Sequence, residues 1–249
     1  MRAPKLAVCW IWTSPMVWAD FAESALRLRH PAGYDVNFFR GKGWSPACRH
    51  NHACEQAVAW GADHILILGA DQLYEPDLLE RLVARREQGC EVVSALVPMR
   101  GYVPDVGMKP FQRMAWRLKG NGLNPIPWDR ANLEIVDPNA GELQRIDFIG
   151  SGCLMFDRDH LLALARPWFF EKVDQVTQQR TACMDSTFVY RLRAEAYAQV
   201  WLDTTIAIRH LHAFPIDETF SDRFADWAEP GVGAADICRF ETPTEKVGA

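Results

Sequence analysis

The sequence has no long apolar run. The longest near its start, Leu6 to Trp12, covers seven residues, against the roughly 18 that a membrane-spanning helix needs. Thr13-Ser14-Pro15 follows it without an A-x-A cleavage pattern, so it is read as a strand and not as a signal peptide. Nor is there an excess of positive charge. The 27 Lys and Arg against 32 Asp and Glu leave a net charge of −5. That argues against a general nucleic-acid coat and leaves room for a local basic patch. A disulfide framework is missing too: the seven cysteines are odd in number and irregularly spaced, and several, such as Cys9 and Cys153, sit in apolar runs. The expectation is a reduced, cytoplasmic protein with buried thiols. Internal repeats and low-complexity segments are absent. What remains is 249 residues of ordinary globular composition, 49% hydrophobic and 24% charged, enough chain for one large domain or two small ones.

The first hundred residues alternate between two periods. Leu6–Ile11 and His64–Leu68 are continuous apolar runs, the mark of strands covered on both faces. Asp35–Phe39 and Glu91–Leu96 read as further strands. Val17–Leu28 and Asn51–Trp60 have helical spacing, and Pro76 opens a third helix, where its missing N–H is not needed. This rhythm predicts an α/β fold with an open, mostly parallel sheet flanked by helices. Residues 97–131 are rich in Gly and Pro with little periodicity, as functional loops often are. Leu133–Val136 and Gln144–Phe148 flank Asp137-Pro138-Asn139-Ala140-Gly141, which predicts a small antiparallel hairpin. Gly152–Phe156 reads as a strand, Asp159–Ala165 as a short helix and Asp185–Ala198 as an amphipathic one. Val200–Asp203 and Thr205–Arg209 read as strand pieces. From Pro215 onward the chain reads as a wrapping tail.

Several residues can carry chemistry. The strand ending Leu68-Gly69-Ala70-Asp71 delivers a carboxylate to its C-terminal edge, where open α/β sheets bind ligands. A carboxylate there can hold a divalent cation that bridges to phosphate; it can equally cap a turn. His210 and His212 share a strand face, and one imidazole with one carboxylate suits Mn²⁺ or Mg²⁺. Asp185 opens a helix, as an N-cap or as a general base for a sugar hydroxyl. Gly150-Ser151-Gly152 lets backbone approach a ligand closely, or simply bends. Cys48-Arg49-His50-Asn51-His52-Ala53-Cys54 lacks C-x₂-C spacing and leads into a helix, so it is read as helix rather than zinc site.

In order, these pieces resemble the GT-A glycosyltransferases of the family-2-like group, which includes small phage and bacterial enzymes. The carrying residues are Arg49-x-Asn51, His64-Ile-Leu-Ile-Leu-Gly-Ala-Asp71-Gln72, Glu75-Pro76-Asp77-Leu78-Leu79, Gly150-Ser151-Gly152-Cys153-Leu154-Met155, Pro167-Trp168-Phe169, Asp185-Ser186-Thr187-Phe188, and Asp203 with His210 seven residues later. The resemblance spans about residues 5–214. It implies a single GT-A (Rossmann-like) catalytic domain over 1–214, with a nucleotide-binding half at 1–97 and an acceptor half at 98–214, and the tail at 215–249.

The resemblance implies that Asp71 is the last Asp of a D-x-D metal and diphosphate site, with His210 ligating the same metal and Asp185 as the base of an inverting transfer. It places Thr13, Arg49, Asn51, Ala70, Gly150, Ser151 and Gly152 around a nucleotide-diphosphate sugar, a UDP-sugar by preference. One departure stands out, since Gly69 replaces the first Asp of D-x-D. Another is Met184, where many members have Glu.

Residues 98–120 carry Arg100, Lys109, Arg113, Arg117 and Lys119 against Asp105, with Tyr102, Phe111 and Trp116 interleaved. Such a mixture suits a phosphate-bearing, stackable acceptor, or it is a solvated loop. Trp168, Arg113, Trp116 and His212 are the candidate acceptor contacts, for a saccharide or surface glycan or for a hydroxymethylated DNA base. Two other functions stay open. A sugar nucleotidylyltransferase normally carries a Gly-rich basic run after the first strand, and Thr13-Ser14-Pro15-Met16-Val17 is not one. A non-catalytic sugar or nucleic-acid binding module draws its support from Gly69.

Overall fold

The computed structural model describes residues 2–12, 17–98, 115–119, 133–211 and 215–216. In chain order the elements are β1 (Lys5–Ile11), α1 (Ala19–Leu26), β2 (Asp35–Arg40), α2 (Pro46–Trp60), β3 (His64–Gly69), β4 (Gln72–Leu73), α3 (Leu78–Glu87) and β5 (Val92–Leu96). Then come β6 (Ala115–Leu118), β7 (Leu133–Ile135), β8 (Leu143–Ile146), β9 (Phe148–Ile149), β10 (Cys153–Asp157), α4 (Arg158–Leu162), β11 (Lys172–Val173) and β12 (Arg180–Ala182). The last are α5 (Met184–Ala194), β13 (Val200–Ala207), β14 (Arg209–Leu211) and β15 (Pro215–Ile216).

A seven-stranded sheet has the order β2-β1-β3-β10-β5-β13-β8. β1 is parallel to β2 and β3, and β13 to β5, while β10 and β8 run against their neighbours. Five of the seven strands therefore share one direction. This is the expected α/β fold with an open, mostly parallel sheet, and strands from both halves of the chain build it.

The continuous apolar runs have a simple cause: both faces of the sheet are covered. On one face Ala7, Cys9, Ile65, Ile67, Leu154 and Phe156 pack with Ala53, Cys54 and Ala57 of α2 and with Phe188, Val189 and Leu192 of α5. On the other, Leu6, Val8, Leu66, Leu68 and Met155 pack with Phe21 of α1 and with Leu78, Leu79, Leu82 and Val83 of α3. Each fully buried Leu, Ile or Phe contributes about 1.5–3 kcal/mol. Among the described residues no helix is long and apolar enough to cross a membrane.

Two local expectations need correction. The helix expected from Asn51 begins five residues earlier. Ser45 caps it by accepting from the Cys48 N–H at 3.1 Å, Pro46 occupies the first turn, and Gly61 ends it at φ 78°. The predicted hairpin across 133–148 does not form. The Gln144 amide does close the turn, donating to the Asp137 and Gly141 carbonyls at 2.7 and 3.1 Å. Yet β7 pairs with β6, and β8 becomes the sheet edge beside β13, where Ile146 and Gln144 are buried. Burial against the main sheet outweighs a local ribbon. The small antiparallel hairpin lies instead at β11 and β12.

Buried ion pairs tie the layers together. Asp203 is 1% exposed and accepts from Arg85 of α3 at 2.6 Å and from the Thr205 N–H at 2.8 Å. Burial opposes its ionisation, but these hydrogen bonds prevail and hold its pKa below the ordinary carboxylate value. Asp203 thus fastens α3 to β13. Asp157 behaves alike: burial is outweighed by hydrogen bonds from His64 and Arg86, and its pKa falls to about 2.

Candidate functional site

The candidate residues Asp71 and His210 meet where β3 ends. β13 outruns β5, with an irregularity between Asp203 and Ala207, and the Ile208 N–H still reaches the Leu96 carbonyl at 2.9 Å. The chain then enters β14, which pairs antiparallel with β4, His210 opposite Gln72. A main-chain bond from the Leu211 N–H to the Asp71 carbonyl, 2.7 Å, fixes the register. The result brings His210 Nε2 to 3.5 Å from Asp71 Oδ1, with the two side chains 13% and 22% exposed. The other imidazole nitrogen, Nδ1, donates to the Pro98 carbonyl at 2.8 Å. That bond orients the ring and turns Nε2 toward the Asp71 carboxylate.

The turn between β3 and β4 is built around Gln72, which is 2% exposed. The buried Tyr74 hydroxyl donates to the Gly69 carbonyl at 2.5 Å and lies 3.1 Å from the Gln72 side-chain amide. Burial pushes the Tyr74 pKa well above its ordinary value, which keeps the hydroxyl a donor. Gly69 N–H bonds to the Gly152 carbonyl at 2.9 Å, which joins this turn to the Gly150-Ser151-Gly152 turn.

The two glycines have a steric reason. A Cβ on Gly152 would lie 2.2 Å from Gln72 Nε2, and one on Gly69 would lie 2.8 Å from Asp71 Oδ1. The Asp71 carboxylate lies over the space that a side chain at position 69 would enter. Gly152→Ala, which would press on the buried Gln72 amide, is therefore expected to cost about 1–3 kcal/mol by overpacking and to lower the melting temperature by several degrees. Gly69→Asp meets the movable end of the Asp71 side chain, and is expected to cost less and to bring no gain in activity. Thermal unfolding of both variants checks this, and wild-type melting of Gly152→Ala would contradict it.

Across the same turn lies Asp185, in the first turn of α5. It does not cap its own helix: Cys183 holds the N-cap position, and its thiol contacts the Ser186 hydroxyl at 3.0 Å. The Asp185 carboxylate instead accepts a short hydrogen bond from the Ser151 hydroxyl. Ser151 also meets His50 Nε2 at 3.0 Å, and His50 Nδ1 donates to the Pro46 carbonyl at 2.8 Å. His50 is buried. Sequence reasoning met it only inside the Cys48–Cys54 cluster. The available signal was Pro46, placed four residues before it at a helix start.

The other expected site residues divide. Arg49 sits beside His50 near the start of α2, half-buried, and Gly150 lies at the end of β9, also half-buried. Ala70 keeps its side chain in the core, and its N–H donates to the Ile11 carbonyl at 3.1 Å. Asn51 is a clamp: its Nδ2 donates to the Ala47 and Phe169 carbonyls, and its Oδ1 accepts from the Trp168 and Phe169 N–H groups. Its amide holds the Pro-Trp-Phe segment rather than reaching a diphosphate.

Trp168 also needs correction as an acceptor contact. It is 1% exposed and belongs to the core, while the buried Arg191 guanidinium holds its segment by donating to the Pro167 and Ala165 carbonyls at 2.9 and 2.8 Å. Trp116 lies on β6, opposite Phe148 of β9, which leads into the Gly150 turn. Thr13, Arg113 and His212, with most of the basic 98–120 segment and all of the tail beyond Ile216, lie outside the described residues.

A two-residue set of one carboxylate and one imidazole fits a divalent cation. A ligating His commonly donates its second N–H to a carbonyl, as His210 does to Pro98. Among the described residues no group of three or more His, Cys, Asp or Glu is placed to hold a metal ion. Asp71 and His210 would therefore hold Mn²⁺ or Mg²⁺ with phosphate oxygens and water supplying the remaining ligands.

No family model matches the chain, and no curated protein matches it in sequence. Among solved structures it is similar to the A197 protein from STIV, at 14% identity over 85% of this chain and 86% of that one, with a TM-score of 0.49. It is similar to UDP-glucose pyrophosphorylase complexed with UDP-glucose, at 9% identity over 92% and 100%, with a TM-score of 0.40. It is similar to S. aureus TarS 1–349 in complex with UDP-GlcNAc, at 12% identity over 80% of this chain and 55% of that chain, with a TM-score of 0.40. These likenesses concern the path of the chain.

Proposed function

We propose that this chain is a metal-dependent glycosyltransferase that moves a sugar from a nucleotide-diphosphate sugar, a UDP-sugar by preference, to an acceptor hydroxyl with inversion. The observation that carries the reading is the meeting of Asp71 and His210. They lie more than a hundred residues apart in the sequence and 3.5 Å apart at the carboxyl end of β3. Such edges are where open α/β sheets bind ligands. Asp185 supports it from across the Gly150–Gly152 turn, which touches Gln72 on one side and Asp185 on the other.

A bound Mn²⁺ or Mg²⁺ would act as a Lewis acid for the negative charge that develops on the departing nucleoside diphosphate. Asp71 and His210 hold the diphosphate end of the donor in register with β3. The glycines of the 150–152 turn let main chain lie close to the sugar. Asp185, at a helix N-terminus, takes the proton of the acceptor hydroxyl as that oxygen attacks C1 from the face opposite the leaving group.

A site with two protein ligands binds its cation weakly until phosphates complete the shell. Mn²⁺ alone is therefore expected to shift the melting temperature little. A nucleoside diphosphate with Mn²⁺ is expected to shift it by more than the sum of the two alone. At a hundred times Kd the gain is about 2.7 kcal/mol, or roughly 5–10 °C for a chain of this size. A thermal-shift panel of UDP, GDP, CDP, ADP and dTDP, each with and without Mn²⁺, tests this. The absence of any metal-dependent shift overturns the reading. Transfer assays with a saccharide and with hydroxymethylated DNA then separate the two acceptor classes.

A further inference from the structure

His50, Ser151 and Asp185 present a problem of proton counting. The Pro46 carbonyl has no hydrogen to give, so the 2.8 Å contact requires that His50 Nδ1 carry one. In a neutral imidazole Nε2 is then a bare acceptor. Ser151 Oγ stands between that nitrogen, 3.0 Å away, and the Asp185 carboxylate. A hydroxyl has one hydrogen. With His50 neutral and Asp185 ionised, two acceptors flank it, and one contact joins acceptor to acceptor.

One added proton satisfies both contacts, in either of two ways. As a carboxylic acid, Asp185 donates to Ser151, and Ser151 donates to His50. As an imidazolium, His50 donates to Ser151, and Ser151 donates to Asp185. The two forms differ by the shift of two hydrogens along the chain, with the heavy atoms in place. The arrangement is not that of a nucleophilic triad, in which the imidazole stands between hydroxyl and carboxylate. Here the hydroxyl is the middle member.

We propose that these three side chains form a one-proton relay, in which Ser151 passes on to His50 the proton that Asp185 removes from the acceptor hydroxyl. The proposal rests on the transferase reading in which Asp185 is the base. In the step, the acceptor O–H bond breaks and its electron pair stays on oxygen as the bond to C1 forms. The C1–phosphate bond breaks, and its pair leaves with the nucleoside diphosphate. Asp185 accepts the proton and gives one to Ser151 as Ser151 gives its own to His50 Nε2. After product departs, the proton returns by the same path through Asp185 to water. Asp185 is the catalytic residue, and Ser151 and His50 are positioning residues.

The surroundings suit a transient proton. Burial lowers the His50 pKa below its ordinary value, and Arg49 adds to this, while the Asp185 charge and the Pro46 bond oppose it. The Phe169 ring lies against the imidazole at 4.8 Å and brings no charge. His50 is therefore neutral and able to receive a proton at neutral pH, and it becomes charged as pH falls.

The test uses the full chain with ¹⁵N-labelled histidine. NMR titration should show His50 protonated at Nδ1 when neutral, and its pKa should fall in Asp185→Asn and move in Ser151→Ala. An unchanged His50 titration in both variants overturns the relay whatever the turnover. In kinetics, Ser151→Ala and His50→Gln are expected to lower kcat about 10–100-fold, as loss of a supporting partner does. Both should move the acid limb of the pH–rate profile toward the carboxylate range, and His50→Gln should leave nucleotide affinity unchanged. A wild-type kcat and acid limb in Ser151→Ala overturns the relay even if NMR shows coupling. Ser151→Ala decides the matter if His50→Gln does not fold. Absence of turnover with every donor defeats the transferase reading, while the NMR arm still reads the relay.

Discussion

Asp71→Ala is expected to reduce sugar transfer by about 10²–10⁴-fold, since each tenfold is about 1.36 kcal/mol and a metal ion contributes several kcal/mol to a transition state with developing phosphate charge. The fold should survive. The bond that fixes the register of β14 uses the Asp71 main-chain carbonyl, which alanine keeps, and the side chain is half-buried rather than part of the core. His210→Ala should act in the same direction. If both residues hold one cation, the double variant should be little worse than the more damaging single one, because groups that act as a unit are not additive. The metal-dependent part of the thermal shift should vanish with either. Rates and melting curves for the two singles and the double, with and without Mn²⁺, measure this. A metal-dependent UDP shift that persists in Asp71→Ala would remove the diphosphate site from this edge.

Much of the fold could be read from the sequence because the sheet is covered on both faces. Leu6–Ile11 and His64–Leu68 are uninterrupted apolar runs since alternate residues enter opposite cores. Where local chemistry and tertiary packing compete, reading by period fails. Asp137 to Gly141 is a true turn closed by Gln144, but its flanking strands find better partners in β6 and β13. The first turn of α2 has no apolar period, and only Ser45-Pro46 announces it.

The site divides in the same way. Asp71 and His210 each stood out at a strand, but their pairing was legible only through the order of motifs in the family the sequence resembles, since nothing local says that β14 folds back onto β4. Asp203, read with His210 as one motif, proved to be an anchor for Arg85, because its side chain turns into the core. His50 escaped notice for the opposite reason. Its partners Ser151 and Asp185 lie more than a hundred residues away, and a buried histidine carries no sequence period of its own.

Asp185→Asn separates chemistry from binding most cleanly. Asparagine keeps the shape, its amide oxygen still accepts from the Ser151 hydroxyl, and the loss of charge in the first turn of α5 costs about 0.3–1 kcal/mol of stability. What disappears is the ability to take a proton. The expected result is a fall in kcat of about 10²–10⁴-fold, with the metal-dependent nucleoside diphosphate shift intact, because Asp71 and His210 are untouched. That pattern, turnover lost and donor binding kept, is the signature of an interaction made only in the transition state. Donor hydrolysis to water should fall less than transfer, since water needs less help in finding a base than a bound hydroxyl held at one position. The stereochemical outcome gives a second reading of the same residue. A base on the face opposite the leaving group requires inversion at C1, which a single-turnover NMR assignment of the product anomer reveals. Retained configuration, or a wild-type rate in Asp185→Asn, would take the base role away from Asp185. The carboxylate would then remain only as the anchor of the Ser151 turn.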